Sequence, residues 1–152
     1  YFVLPPALAA QIEALAVSTY ISPPFMTQAT VHEFLRRGNF EPNLERVSGL
    51  LKARRDAMLE ALERHMPDGA RWSHPEGGYF IWLDLPGEAG DLLARAEAAG
   101  VTFVPGTDFF GDGGGRKSLR LAFSFVSPEE IADGIEKLAG LLRGAPSPAS
   151  AL

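Results

Sequence analysis

The sequence predicts an α/β fold of the α+β kind: a mostly antiparallel sheet with helices packed on one side, preceded by further helices. Three observations predict it. Strand-like apolar runs fall almost entirely after residue 70, where they alternate with helical segments in the order β-β-α-β-β-α, which one sheet layered against helices accommodates. The preceding residues, after a short apolar start, carry only the three- and four-residue spacings of helices. Of 152 residues, 46% are hydrophobic and 22% charged, the composition of a globular body rather than a disordered or fibrous chain.

The chain opens with Tyr1-Phe2-Val3-Leu4, a β-prone run without an initiator Met, which reads as a strand tail with neighbours upstream and hence as part of a longer protein. Pro5 and Pro6 end that run, since proline lacks the amide donor of a ladder. Leu8, Ile12, Leu15 and Ala16 then predict a helix over residues 7–17. Ser22, as a cap before Pro23 and Pro24, predicts a second helix running to Arg37, stopped by Gly38. The third is the longest. Leu44, Val47, Leu51, Met58 and Leu62 form one stripe over residues 44–65, with Pro67-Asp-Gly69 as the turn after it.

In the second half, Arg71-Trp-Ser73 and Gly78–Leu85 read as strands joined by the turn His74-Pro-Glu-Gly77. A helix follows over residues 91–99, then a short strand from Val101 to Val104 stopped by Pro105-Gly106. Beyond a glycine-rich loop, Ser118–Phe123 is a further strand. Ser127 as cap, Pro128 in the first turn and Glu130 three residues on predict a capping box, and Ile131, Ile135, Leu138, Leu141 and Leu142 give that last helix its buried face. The tail from Gly144 has too little apolar content to fold.

Charge and composition remove several function classes. Fourteen basic against 19 acidic residues give a net charge of −5, the wrong sign for a nucleic-acid-binding surface. Lys52, Arg54 and Arg55 form the densest basic cluster and read as a solvated helix face. Without cysteine there is no disulfide, thiolate metal site or cysteine nucleophile, which favours a cytoplasmic setting. No apolar run reaches the length of a membrane span. His32, His65 and His74 are scattered, and Arg36 stands where a second zinc-binding His would follow His32-Glu33, so no metal is expected. Gly111-Asp-Gly-Gly-Gly-Arg-Lys-Ser118 is a surface turn rather than a phosphate loop, because Arg116 replaces the glycine before the lysine and a strand follows where a helix is required.

Three motifs keep a functional reading beside an ordinary one. Period two places Leu119, Leu121 and Phe123 on one strand face and Arg120, Ala122 and Ser124 on the other. A guanidinium flanked by small residues is a planar, bidentate donor suited to a carboxylate or phosphate; otherwise it forms a salt bridge at the sheet surface. Gly77-Gly-Tyr-Phe-Ile-Trp82, with Gly78, Tyr79 and Phe80, is either a pocket wall or sheet core. Pro105-Gly-Thr-Asp-Phe-Phe110 is either a pocket-rim loop or a turn with a hydrophobic anchor.

Pro75-Glu-Gly-Gly-Tyr-Phe-Ile-Trp-Leu-Asp-Leu-Pro86, Gly100-Val-Thr-Phe-Val-Pro-Gly-Thr-Asp-Phe-Phe110 and Ser118-Leu-Arg-Leu-Ala-Phe-Ser124 with Ser127–Leu138, in this order, resemble the C-terminal part of fold-type-I, class I/II pyridoxal-phosphate aminotransferases. The likeness is nearest the 2-aminoadipate and kynurenine branch, which also supplies the effector domain of MocR/GntR-type regulators. It covers residues 1 to about 143. The resemblance implies that Arg120 binds the substrate α-carboxylate, that Phe80 lines the substrate pocket, and that Gly78, Tyr79, Pro105, Gly106 and Phe110 lie at its rim. It also implies pyridoxal phosphate, amino-acid and 2-oxo-acid substrates and a homodimer. The aldimine lysine belongs to a large domain outside this chain, since Lys52, Lys117 and Lys137 all lack its motif, so the segment alone should be inactive. On this reading residues 1–40 belong to or bridge to that large domain, 41–143 form the small domain, and 144–152 are a flexible tail. The alternatives are a regulator's effector domain and a stand-alone ligand-binding module.

Overall fold

The computed structural model describes residues 3–144. Five helices and one four-stranded antiparallel sheet make up this part of the chain: α1 (Pro6–Thr19), α2 (Phe25–Arg36), α3 (Phe40–His65), β1 (Arg71–Trp72), β2 (Phe80–Asp84), α4 (Leu92–Ala98), β3 (Val104–Pro105), β4 (Ser118–Ala122) and α5 (Pro128–Arg143). The β-β-α-β-β-α order and the α/β class are as the sequence predicts. The chain divides into two compact units between Arg46 and Val47, six residues beyond the boundary expected from the start of the long stripe.

In the first unit, α1 and α2 bury no residue. Leu15, Val17, Phe25, Met26 and Leu35 are all at least half exposed. Several local expectations are corrected here. Val3 and Leu4 lie in no strand, while Tyr1 and Phe2 fall outside the described residues. Ser22 does not cap α2; the cap position is Pro24, with no side-chain bond, because two successive prolines hold the backbone extended to that point. Between the helices Ile21 sits at φ 59°, the left-handed region that a β-branched residue rarely enters. The long helix begins at Phe40, four residues earlier than its apolar stripe, because Pro42 is tolerated in a first turn whose amides need no partner.

The second unit holds the core. The strand order is β1-β2-β4-β3, every neighbour antiparallel. Ile81 and Leu83 of β2 and Leu119 and Leu121 of β4 face the helices, as period two requires, and are buried with Phe123. Against them lie Met58, Ala61 and Leu62 of α3, Leu92 and Ala96 of α4, and Ile131, Ile135 and Leu138 of α5. Each such apolar side chain contributes roughly 1.5–3 kcal/mol when fully buried, and the first unit has no comparable set.

All four strands are shorter than predicted, β1 stopping at Trp72 rather than Ser73. β2 starts at Phe80, since Gly78 at φ 82° is still in the turn. β4 ends at Ala122, one residue before the predicted Phe123. β3 is only Val104–Pro105 rather than 101–104: Phe103 is buried by its side chain, yet only Val104 and Pro105 pair with β4, opposite Arg120 and Leu119. Ser127 caps α5 in the predicted box, its Oγ accepting from Glu130 N at 3.2 Å while Glu130 Oε2 accepts from Ser127 N at 2.8 Å. The predicted tail, apart from Gly144, lies outside the described residues.

Candidate functional site

The sheet face turned away from the helices carries Phe80, Trp82 and Asp84 from β2 and Ser118, Arg120 and Ala122 from β4. Register sets their spacing, since Trp82 is directly opposite Arg120 and Asp84 opposite Ser118. A short 3-10 turn over Gly106–Phe109 follows β3 and brings Phe109 and Phe110 onto this face.

Arg120 is the cation at its centre. Its guanidinium carbon lies 3.9 Å from the centroid of the Phe80 ring and 4.8 Å from that of Phe109. Among the described residues it forms no ion pair, and its buried Nε has no hydrogen-bond partner. Arg120 and Ala122 also border a hollow of about 360 Å³ whose other walls are mostly core residues, among them Met58, Phe103, Leu121, Ile131 and Ile135. A charged planar donor against two rings, with no carboxylate of its own among the described residues, is disposed to receive an anionic group from outside.

Trp82 meets the Phe109 ring edge-on, with centroids 5.4 Å apart and planes at 78°, and sits 6.2 Å from Phe110. Its indole Nε1 donates to Asp84 Oδ1 at 3.0 Å, and Ser118 Oγ donates to the same oxygen at 2.6 Å. The turn bearing the two phenylalanines depends on backbone contact. A Cβ on Gly106 would stand 2.5 Å from Gly115 O, and one on Gly115 equally close to Gly106 O and 2.7 Å from the Phe110 ring. The glycine loop is thus a surface turn, as its sequence predicts, and its lack of side chains lets it seat the Phe109–Phe110 turn.

Of the residues singled out in the sequence, the structure brings Phe80 directly onto Arg120. Tyr79, half exposed, packs edge-on against Phe80 at 6.3 Å and accepts Phe123 N through its carbonyl. Pro105 is in the ladder and Gly106 buried beneath the turn. Phe110 meets Trp82 and the glycine loop, whereas its neighbour Phe109 is the one stacked on the guanidinium. Gly78 faces a different hollow, with Arg55 and Phe123. Sequence reasoning missed Trp82 and Phe109. Trp82 was legible as a same-face neighbour of Phe80 two residues on, but its register opposite Arg120 was not.

The basic cluster of α3 needs correction. Lys52 is exposed and pairs with Asp56, but Arg54 and Arg55 are partly buried. Arg54 Nη1 donates to Ser124 O at 2.7 Å, and Arg55 Nη1 to Pro75 O at 3.2 Å and Glu76 O at 3.4 Å. They fasten the segments just after β4 and just before β2, because carbonyls at strand ends lack ladder partners. Among the described residues no group of His, Asp and Glu could hold a metal ion, and no helix is long and apolar enough to cross a membrane. Lys52 and Lys137 are held in exposed ion pairs with Asp56 and Asp133, and Lys117 is exposed in a turn. None offers the buried amine that covalently held pyridoxal phosphate needs, so the residues present do not fit that cofactor.

This sheet, with one face buried under helices and an arginine-centred aromatic face on the other, is the small-domain architecture of aminotransferases. The chain belongs to the aspartate aminotransferase family, whose profile matches residues 8–148. It is 42% identical over 123 residues to the 2-aminoadipate transaminase of Thermus thermophilus, covering 80% of this chain and 31% of that protein. It is 32% identical over 149 residues to the HTH-type transcriptional regulator TauR of Rhodobacter capsulatus, covering 94% of this chain and 30% of the regulator. Among solved structures, the Pyrococcus horikoshii kynurenine aminotransferase superposes with a TM-score of 0.85 at 34% identity, over 93% of this chain and 36% of that one. The chain therefore spans about a third of the length of the relatives it matches.

Proposed function

We propose that this chain is part of a pyridoxal-phosphate-dependent aminotransferase, in which Arg120 binds the α-carboxylate of an amino acid and of the 2-oxo acid that accepts the amino group. The observation that carries this reading is the Arg120 guanidinium, lying against the Phe80 and Phe109 rings with no carboxylate partner among the described residues. The remainder of the protein supplies the cofactor and its lysine, and the chain's own contribution is to bind and orient. Two parallel N–H bonds from Arg120 fix the carboxylate plane, and Phe80 with the rim residues Tyr79 and Phe110 excludes water from the bound substrate. The whole protein is read as a cytoplasmic homodimer, with the exposed apolar faces of α1 and α2 as surfaces for the remaining chain or a second copy.

A charge-assisted pair in a closed site is worth roughly 2–5 kcal/mol. At about 1.4 kcal/mol per decade, Arg120→Ala in the whole protein should lower kcat/KM by roughly 30- to 3000-fold, and Arg120→Lys by a smaller but clear amount. The melting temperature should change little, because Leu119 and Leu121 carry the strand's packing. A lower melting temperature with normal kinetics would return Arg120 to the scaffold. Similarity to TauR over 94% of the chain favours a second reading, an effector domain that senses an amino compound through the same arginine. Transamination by the purified whole protein separates the two.

A further inference from the structure

We propose that Trp82 and Phe109 are positioning residues that fix the plane of the Arg120 guanidinium. The proposal rests on the carboxylate reading for its purpose but not for its geometry. An arginine side chain is long and flexible, and the buried Nε of Arg120 has no acceptor to orient it. What holds the group in place is the pair of rings whose centroids lie 3.9 and 4.8 Å from its carbon, each attracting the cation through its quadrupole. Phe80 belongs to a paired strand and is held by the ladder. Phe109 sits on a four-residue 3-10 turn, which hydrogen bonding alone holds poorly.

Two contacts compensate. The Trp82 indole meets the Phe109 ring edge-on at 5.4 Å, and that indole is anchored by its Nε1 bond to Asp84 Oδ1, itself fixed by Ser118 Oγ. Beneath the turn, the Gly106–Gly115 approach seats the backbone. Order passes from Asp84 to Trp82, to Phe109, to Arg120. Two rings this close to the guanidinium carbon restrict how the group can turn, and a fixed guanidinium offers a flat carboxylate two parallel bonds. Phe109 and Trp82 thereby set which anions Arg120 accepts.

The test uses Phe109→Leu and, should that variant fold poorly, Trp82→Phe, with two readouts. In 15N NMR spectra of the chain, ring currents should place the Arg120 Nε–Hε proton upfield of the other arginines. Phe109→Leu should return most of that shift and Trp82→Phe part of it. In the whole protein, Phe109→Leu should raise KM for the accepted 2-oxo acid roughly three- to tenfold with kcat nearly unchanged, as loss of one cation–ring contact implies. Added to Arg120→Ala it should cost nothing more. A wild-type Arg120 resonance without an upfield shift, or one unmoved in both variants, overturns the proposal whatever the kinetics. Where Arg120→Ala itself impairs kcat/KM, a normal KM in Phe109→Leu overturns it as well. A shifted resonance beside a kinetically silent Arg120→Ala supports the brace and removes the carboxylate reading instead.

Discussion

Asp56 shows how a residue can hold charge for the fold without belonging to the site. Hydrogen bonds from Lys52 first, and then Arg55, hold its carboxyl below the usual carboxylate range. Because its folded value is lowered, its contribution is complete above the ordinary titration near pH ~4 and is lost as pH falls through the lowered folded value. Asp56→Asn should therefore lower the melting temperature slightly at neutral pH and flatten its fall below about pH 4. The effect is small because the pair is half exposed and screened by water. Identical acid limbs in the two proteins would refute it. At this scale the sequence was legible where period two governs: the face of Arg120 followed from Leu119 and Leu121. The partners of Arg54, Arg55 and Phe109 did not, because carbonyls and rings 20 to 70 residues away meet them only after folding.

Among the elements, α5 is the one written most fully into local sequence. Its box satisfies two otherwise unpaired amides, and Ile131, Ile135 and Leu138 follow at helical spacing into the core. Ser127→Ala should cost about 1 kcal/mol in urea unfolding, with Ser127→Asp or Asn close to wild type; equal midpoints for Ser127→Ala and wild type would show the cap idle. The strands were legible in order but not in length. Val101–Val104 reads as a strand because it is apolar and β-branched, yet apolarity reports burial, and ladder pairing is decided by where β4 runs. The α2 start was misread for a related reason: Ser22 has the chemistry of a cap, but the proline pair after it moves the first helical turn beyond its reach.

For the molecule as a whole, buried area is divided unequally. Every residue of the apolar core lies beyond Val47, while α1 and α2 bury none. Limited proteolysis should cut first within residues 1–46, leaving residues 71–125 intact, and early cleavage in the latter would contradict the division. The arrangement of the sheet has another result. Both of its outer strands, β1 and β3, are two residues long, and one of the two residues of β3 is a proline. A strand that short offers almost no row of free amides on which another chain could template itself. Clumping of this chain in concentrated solution would therefore proceed by the greasy contact of helices, reversible by mild detergent, rather than by growth of fibrillar cross-strand stacks.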